Sequence, residues 1–107
     1  MVSSGWIEVG SLDDFKESNK KVVRIKDNLE ILLIKVGNSV FAIENKCTHD
    51  DKPLSDGKII DEKIIECIYH GARFDIETGR AMRMPAVTPV NIYKSKIEDN
   101  KIYIQIE

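Results

Sequence analysis

The 107-residue chain is short of several things, and each shortage excludes a class of protein. No run of bulky apolar residues exceeds four, Ile31-Leu32-Leu33-Ile34. That is far below the ~18–20 needed to span a bilayer. The opening residues, Met1-Val2-Ser3-Ser4-Gly5-Trp6, carry neither a basic region nor an apolar stretch, so no signal peptide and no membrane association are expected. Excess basic charge is also missing. Sixteen Lys and Arg stand against 18 acids, a net charge of −2, which argues against a nucleic-acid partner. Three prolines and six glycines mark out no linker, repeat or low-complexity tract. Two cysteines, Cys47 and Cys67, are too few for a disulfide scaffold, and a reducing, cytoplasmic setting is expected. What remains is one small domain over residues 1–107 with a modest core.

Strand signals dominate. Trp6-Ile7-Glu8-Val9 alternates, and Lys21 to Ile25 is β-branched. Asp27-Asn28 reads as a turn into a second rich run, Leu29 to Val36. Gly37-Asn38 suits a two-residue hairpin, with Ser39 to Glu44 returning from it. Near the end, Val90 to Ile97 and Lys101 to Ile106 flank Asp99-Asn100. Ile102, Ile104 and Ile106 recur at period two and share one face, the mark of a sheet buried on one side. The only helical signal is Ser11 before Asp13-Asp14-Phe15-Lys16, a capped single turn. The pattern predicts an all-β fold, an antiparallel sandwich or incomplete barrel.

The middle of the chain breaks this rhythm. The stretch from Asn45 to Gly57 is too rich in turn formers for a strand. Ile64 to Cys67 reads as a short strand, Tyr69-His70-Gly71 as a turn, and Glu77-Thr78-Gly79 as another. Every Cys and every His of the chain falls here, within a subdomain of about residues 45–79. They form two mixed pairs: Cys47-Thr48-His49 is C-x-H, and Cys67-Ile68-Tyr69-His70 is C-x-x-H, with 17 residues between His49 and Cys67. Two loops that each bring a thiolate and an imidazole can grip one metal centre from both sides. One occupant is a zinc ion in a structural Cys2His2 interaction module, although zinc ligands usually pair like with like, as C-x₂₋₄-C and H-x₃₋₅-H. The other is a [2Fe–2S] cluster in which two histidines replace two cysteines on one iron.

The chain resembles the Rieske-type ferredoxins, the electron-donating components of multicomponent aromatic-ring dioxygenases, and their archaeal relatives. The resemblance runs from Trp6 to the end. Its motifs are Cys47-Thr48-His49, Pro53-Leu54-Ser55-Asp56-Gly57, Cys67 with His70-Gly71-Ala72-Arg73-Phe74-Asp75, Thr78-Gly79 and Pro85-Ala86. It implies an antiparallel β scaffold with a small cluster-binding subdomain. It also implies one Rieske [2Fe–2S] cluster held by Cys47, His49, Cys67 and His70. The implied role is that of a monomeric one-electron carrier, not an enzyme, between a ferredoxin reductase and a terminal oxygenase or other acceptor. A cluster-free scaffold subunit of a larger reductase fits less well, because such relatives tend to lack the ligand set that this chain has complete.

The departures from the family are informative. Respiratory relatives tie the two cluster loops with a disulfide, and Lys52 and Tyr69 stand at those positions, so that bridge is absent. Ala72 and Phe74 stand where those relatives aim a Ser and a Tyr hydroxyl at the cluster. Neither side chain can donate a hydrogen bond. Donors to the sulfurs raise the potential, so a midpoint toward the low end of the range of Rieske centres is expected, roughly −150 mV. Ile68 replaces a frequent Pro and Asp51 a frequent Gly. Pro53, Leu54, Met82, Met84 and Pro85 are candidates for an apolar collar that excludes water and offers a docking surface. Residues Cys47 to Asp75 carry seven acids and four bases, which reads either as a solvated surface or as a field that steers a basic partner at low salt.

Overall fold

The structure, a computed structural model, describes residues 5–48, 52–69, 71–84 and 86–106. Its strands are β1 (Trp6–Ser11), β2 (Lys20–Lys26), β3 (Leu29–Val36), β4 (Ser39–Glu44), β5 (Lys58–Ile60), β6 (Ile64–Glu66), β7 (Arg73–Asp75), β8 (Ala81–Arg83), β9 (Ile92–Glu98) and β10 (Lys101–Gln105). Two single 3₁₀ turns, Leu12–Phe15 and Leu54–Asp56, are the helical elements among the described residues. Every strand pairing is antiparallel. Six strands form one sheet in the order β1-β10-β9-β4-β3-β2, curled into a nearly closed barrel. Four short strands form a second sheet in the order β5-β6-β7-β8. The all-β fold expected from the sequence is thus observed, with the chemistry-bearing stretch forming the small sheet and its loops.

Strand β3 shows how the two parts join. Ile31 and Leu33 lie in the barrel core with Phe15, Val40, Ala42, Ile102 and Ile104. Leu32 and Ile34 lie in a second core with Ile43 of β4 and with Leu54, Ile65, Phe74 and Ile76, which the small sheet and its loops supply. All four consecutive residues of the run are fully buried. A strand covered on both faces needs an apolar residue at every position, and this is why the alternation fails there. At about 1.5–3 kcal/mol per buried side chain, this strand anchors the small sheet to the barrel.

The turns follow their residues. Gly37 takes φ +59 in the β3–β4 turn, and Asp99-Asn100 takes φ 51 and 69 between β9 and β10, the left-handed pair that a tight hairpin requires. Ile102 and Ile104 are buried while Lys101 is exposed, as the alternation predicts. The expected turn follows Ser11, and the bond that closes its start is the Ser11 N–H donating to Asp14 Oδ2 at 2.9 Å. On the outer face of the barrel, Lys96 Nζ lies 4.6 Å from the Trp6 ring centroid and 5.8 Å from that of Tyr103.

Candidate metal centre

Two loops converge on the core between barrel and small sheet. The first leaves β4 at Glu44. Its base is fixed by Asn45, a buried polar residue whose Oδ1 accepts the Ser55 N–H at 2.7 Å. The Asn45 Nδ2 donates to Glu30 Oε1 and Ser55 Oγ, both at 3.3 Å. One side chain therefore joins β3, the end of β4 and the 3₁₀ turn Leu54–Asp56. Lys20 Nζ donates to Ser55 O at 2.7 Å and also to Gly57 O, holding the same turn from β2. Within the loop, the Cys47 N–H donates to Lys52 O at 2.7 Å. Thr48 Oγ1 donates to Thr88 O at 2.7 Å and fastens the loop to the segment after β8.

The second loop is a tight return from β6 to β7. The Cys67 N–H donates to Ala72 O at 2.8 Å, and Cys67 O accepts the Gly71 N–H at 2.9 Å. Gly71 takes φ +78, a left-handed conformation that costs a side-chain-bearing residue energy. Before the loop, Glu66 accepts from Arg73 Nε at 2.8 Å, with Arg83 at 3.6 Å and Lys58 at 3.8 Å. The Arg73 hydrogen bond, more than the neighbouring charges, holds the Glu66 carboxyl below the usual carboxylate range.

Two of the four candidate ligands, Cys47 and Cys67, arrive from separate loops in one buried cluster, each fully inaccessible. Leu54, Ala72, Phe74, Ala86 and Val90 share that cluster, so the thiols sit in apolar surroundings. The other two candidates, His49 and His70, lie outside the described residues, as do Asp51 and Pro85. Ala72 and Phe74, expected at the positions where respiratory relatives carry hydroxyl donors, are both fully buried in the cluster that holds the cysteines.

The apolar collar is only partly as expected. Leu54 is fully buried in the core and no part of a surface. Met82 and Met84 are exposed, and Ile68 and Val87 join them. Ile68 lies on the Cys67 loop, and the segment that carries Met84 and Val87 is fastened to both the Cys47 loop and the core through Thr88, Ala86 and Val90. The sequence offered one signal for Val87 and Ile68: each is a large apolar residue within a loop.

The loops also touch each other. Tyr69 OH donates to Asp56 Oδ2 at 3.1 Å, and Lys52 Nζ lies 5.5 Å from the Tyr69 ring centroid. Lys52 and Tyr69 were expected to leave the loops without a bridge. In place of a covalent bridge, the structure puts the Lys52 ammonium near the Tyr69 ring and the Tyr69 hydroxyl on Asp56.

A model of the Rieske [2Fe–2S] domain family matches residues 5–94. The ferredoxin component of the naphthalene 1,2-dioxygenase/salicylate 5-hydroxylase systems of Ralstonia sp. is 36% identical over 107 residues, covering 99% of this chain and all of that protein. The ferredoxin of carbazole 1,9a-dioxygenase from Nocardioides aromaticivorans IC177 superposes with a TM-score of 0.88 at 31% identity, over 97% of this chain and 100% of that one. A chain from a complex of reduced oxygenase and oxidized ferredoxin in carbazole 1,9a-dioxygenase superposes with a TM-score of 0.87 at 26% identity, over 98% and 96% of the two chains.

Proposed function

Because the chain belongs to the Rieske [2Fe–2S] domain family, we propose that it is the ferredoxin component of an oxygenase system, a one-electron carrier and not itself an enzyme. The observation that carries this reading is the meeting of two buried thiols from two separate loops in one cluster, within a fold shared along its whole length with dioxygenase ferredoxins. Thiolate and imidazole are the donors a Rieske centre uses, so the residues fit the group. The ligand set of the reading is Cys47, His49, Cys67 and His70.

When bound, a [2Fe–2S] cluster of this type supplies reversible one-electron chemistry. The chain's residues set the conditions for it. Cys47 and Cys67 would provide the anionic ligands, from an apolar cluster that they share with Leu54, Phe74 and Val90. Ala72 and Phe74 withhold side-chain donors from the sulfurs, which keeps the potential low. Ile68, Met82, Met84 and Val87 give an exposed apolar surface around the loops, suited to brief contact with a donor and then an acceptor. The partners are a ferredoxin reductase and a terminal oxygenase or other acceptor. One relative by structure is a ferredoxin in a complex with its oxygenase. Among the described residues no helix is long and apolar enough to cross a membrane. The reading is completed by a monomer working in the cytoplasm.

The zinc module weighed from the sequence finds no support in the family model or the relatives. Iron and acid-labile sulfide analysis tests the ligand set. Two irons and two sulfides per chain are expected, with loss of both in each of Cys47→Ala, His49→Ala, Cys67→Ala and His70→Ala. Full loading of any one variant removes that residue from the set.

A further inference from the structure

The two loops that carry the thiols are joined by side chains as well as by the core. Lys52 closes the first loop, because its carbonyl accepts the Cys47 N–H at 2.7 Å. Its Nζ lies 5.5 Å from the centroid of the Tyr69 ring. Tyr69 stands two residues after Cys67, at the turn of the second loop. Its hydroxyl donates to Asp56 Oδ2 at 3.1 Å. Asp56 in turn closes the 3₁₀ turn Leu54–Asp56, whose neighbour Ser55 is held by Asn45 and Lys20. A path of contacts thus runs from the Cys67 loop through Tyr69 to both ends of the Cys47 loop. All three side chains belong to solvent-accessible residues, so the path adds little to the core.

We propose that Lys52, Asp56 and Tyr69 are positioning residues: together they hold the Cys47 loop against the Cys67 loop and set how long the cofactor stays bound. The inference rests on the reading of these loops as the two sides of the cluster site. The physical reason is simple. A centre gripped from two loops is lost when the loops part, and loop opening is a local event whose free energy is far below that of global unfolding. Contacts that span the loops but lie outside the core raise that local cost without changing the rest of the fold. A cation over an aromatic ring at an exposed site changes such an equilibrium by about 2- to 5-fold, and a hydrogen bond to a charged acceptor by a further ~10-fold.

The test is the first-order loss of visible absorbance of the oxidised holoprotein in excess iron chelator at fixed temperature. It is applied to wild type, Lys52→Met, Tyr69→Phe, Tyr69→Leu and the Lys52→Met/Tyr69→Leu double variant. Tyr69→Phe keeps the ring under the lysine and removes the hydroxyl that donates to Asp56. Lys52→Met removes the cation over the ring and keeps the Tyr69 hydroxyl. Each is expected to lose the cluster about 2- to 10-fold faster than wild type, and Tyr69→Leu faster than either. The double variant is expected to match Tyr69→Leu, since both changes break the lysine–ring contact. The urea midpoint of the folded scaffold, read from tryptophan fluorescence, is expected to stay at the wild-type value. That separates loop opening from general destabilisation. Rates equal to wild type in Lys52→Met and Tyr69→Phe overturn the proposal. So does a double variant whose effect is the product of the two single effects. A wild-type protein that binds no iron–sulfur cluster after anaerobic reconstitution overturns the functional reading itself, and this proposal with it.

Discussion

Gly57 offers the sharpest test of how the small sheet holds the Cys67 loop. Its backbone is ordinary, φ −81 and ψ −178, which any residue adopts. Conformational entropy alone therefore favours Gly57→Ala, by about 0.4–1 kcal/mol. Space says the opposite. A Cβ there would stand 1.9 Å from Glu66 O, 2.9 Å from Glu66 C and 3.1 Å from Leu54 O, all of them backbone atoms. Carbon and carbonyl oxygen come no closer than about 3.3 Å even in the weak bonds between strands, so Glu66 must retreat by about 1.4 Å. Glu66 is paired with Lys58 at the end of a three-residue ladder and is followed directly by Cys67. The retreat thus opens the β5–β6 pair and drags the second loop. Overpacking of this kind costs about 1–3 kcal/mol, out of a total near 5–15 kcal/mol for a small domain. With urea m-values of about 1–3 kcal/mol/M, the unfolding midpoint of Gly57→Ala drops by about 1 M. Gly37→Ala is the control. Gly37 has φ +59 but nothing within 4 Å of its would-be Cβ, so it carries only the left-handed penalty of about 1–2 kcal/mol. A Gly57→Ala midpoint at or above that of wild type would refute the steric reasoning.

Three further outcomes follow from the same structure. Asn45→Ala removes the acceptor of the Ser55 N–H and both donors to Glu30 and Ser55. It is expected to cost about 2 kcal/mol in urea unfolding, and a change below about 0.5 kcal/mol contradicts the account. Phe74→Tyr adds a hydroxyl inside the cluster shared by both cysteines. The wild-type midpoint is expected at roughly −150 mV and that of the variant above it, and a wild-type value above 0 mV in protein-film voltammetry contradicts this. Asp14 is held below the usual carboxylate range first by its 2.6 Å hydrogen bond from Lys21 and then by the Ser11 N–H. Because its folded pKa lies below its unfolded one, its contribution is complete above the unfolded value and fades as pH falls through the folded one. Asp14→Asn is therefore expected to lose less stability than wild type as pH falls below about 5, and parallel urea-midpoint profiles contradict it.

Much of the barrel was legible because its sequence signals are local. Leu29–Val36 and Ser39–Glu44 match the expected strands at both ends, since a Gly-Asn turn and a β-branched run define them with no help from elsewhere. The small sheet was less legible. Strand β5 has little local signal, because its turn into β6 puts Asp61 and Glu62 at φ 54 and 61, and Glu is not a residue that announces a left-handed turn. Strand β8 is Ala-Met-Arg, with no alternation to read; pairing with β7 through Arg73↔Arg83 and Phe74↔Ala81 makes it a strand. Leu54 looked like a collar residue because its neighbours are turn formers, yet the 3₁₀ turn directs it into the core. The candidate site was legible as residue types and spacing. The contacts that place it were not, because Asn45 with Ser55, Lys20 with Gly57, and Tyr69 with Asp56 are separated by 10, 37 and 13 residues. No local pattern encodes a pairing at that range.

The most direct measurement is the EPR spectrum of the purified protein after anaerobic reconstitution and dithionite reduction. The account expects a red-brown oxidised protein that bleaches on reduction and gives a rhombic Rieske-type signal integrating to one spin per chain. A colourless protein that stays EPR-silent and binds one zinc ion per chain would contradict it.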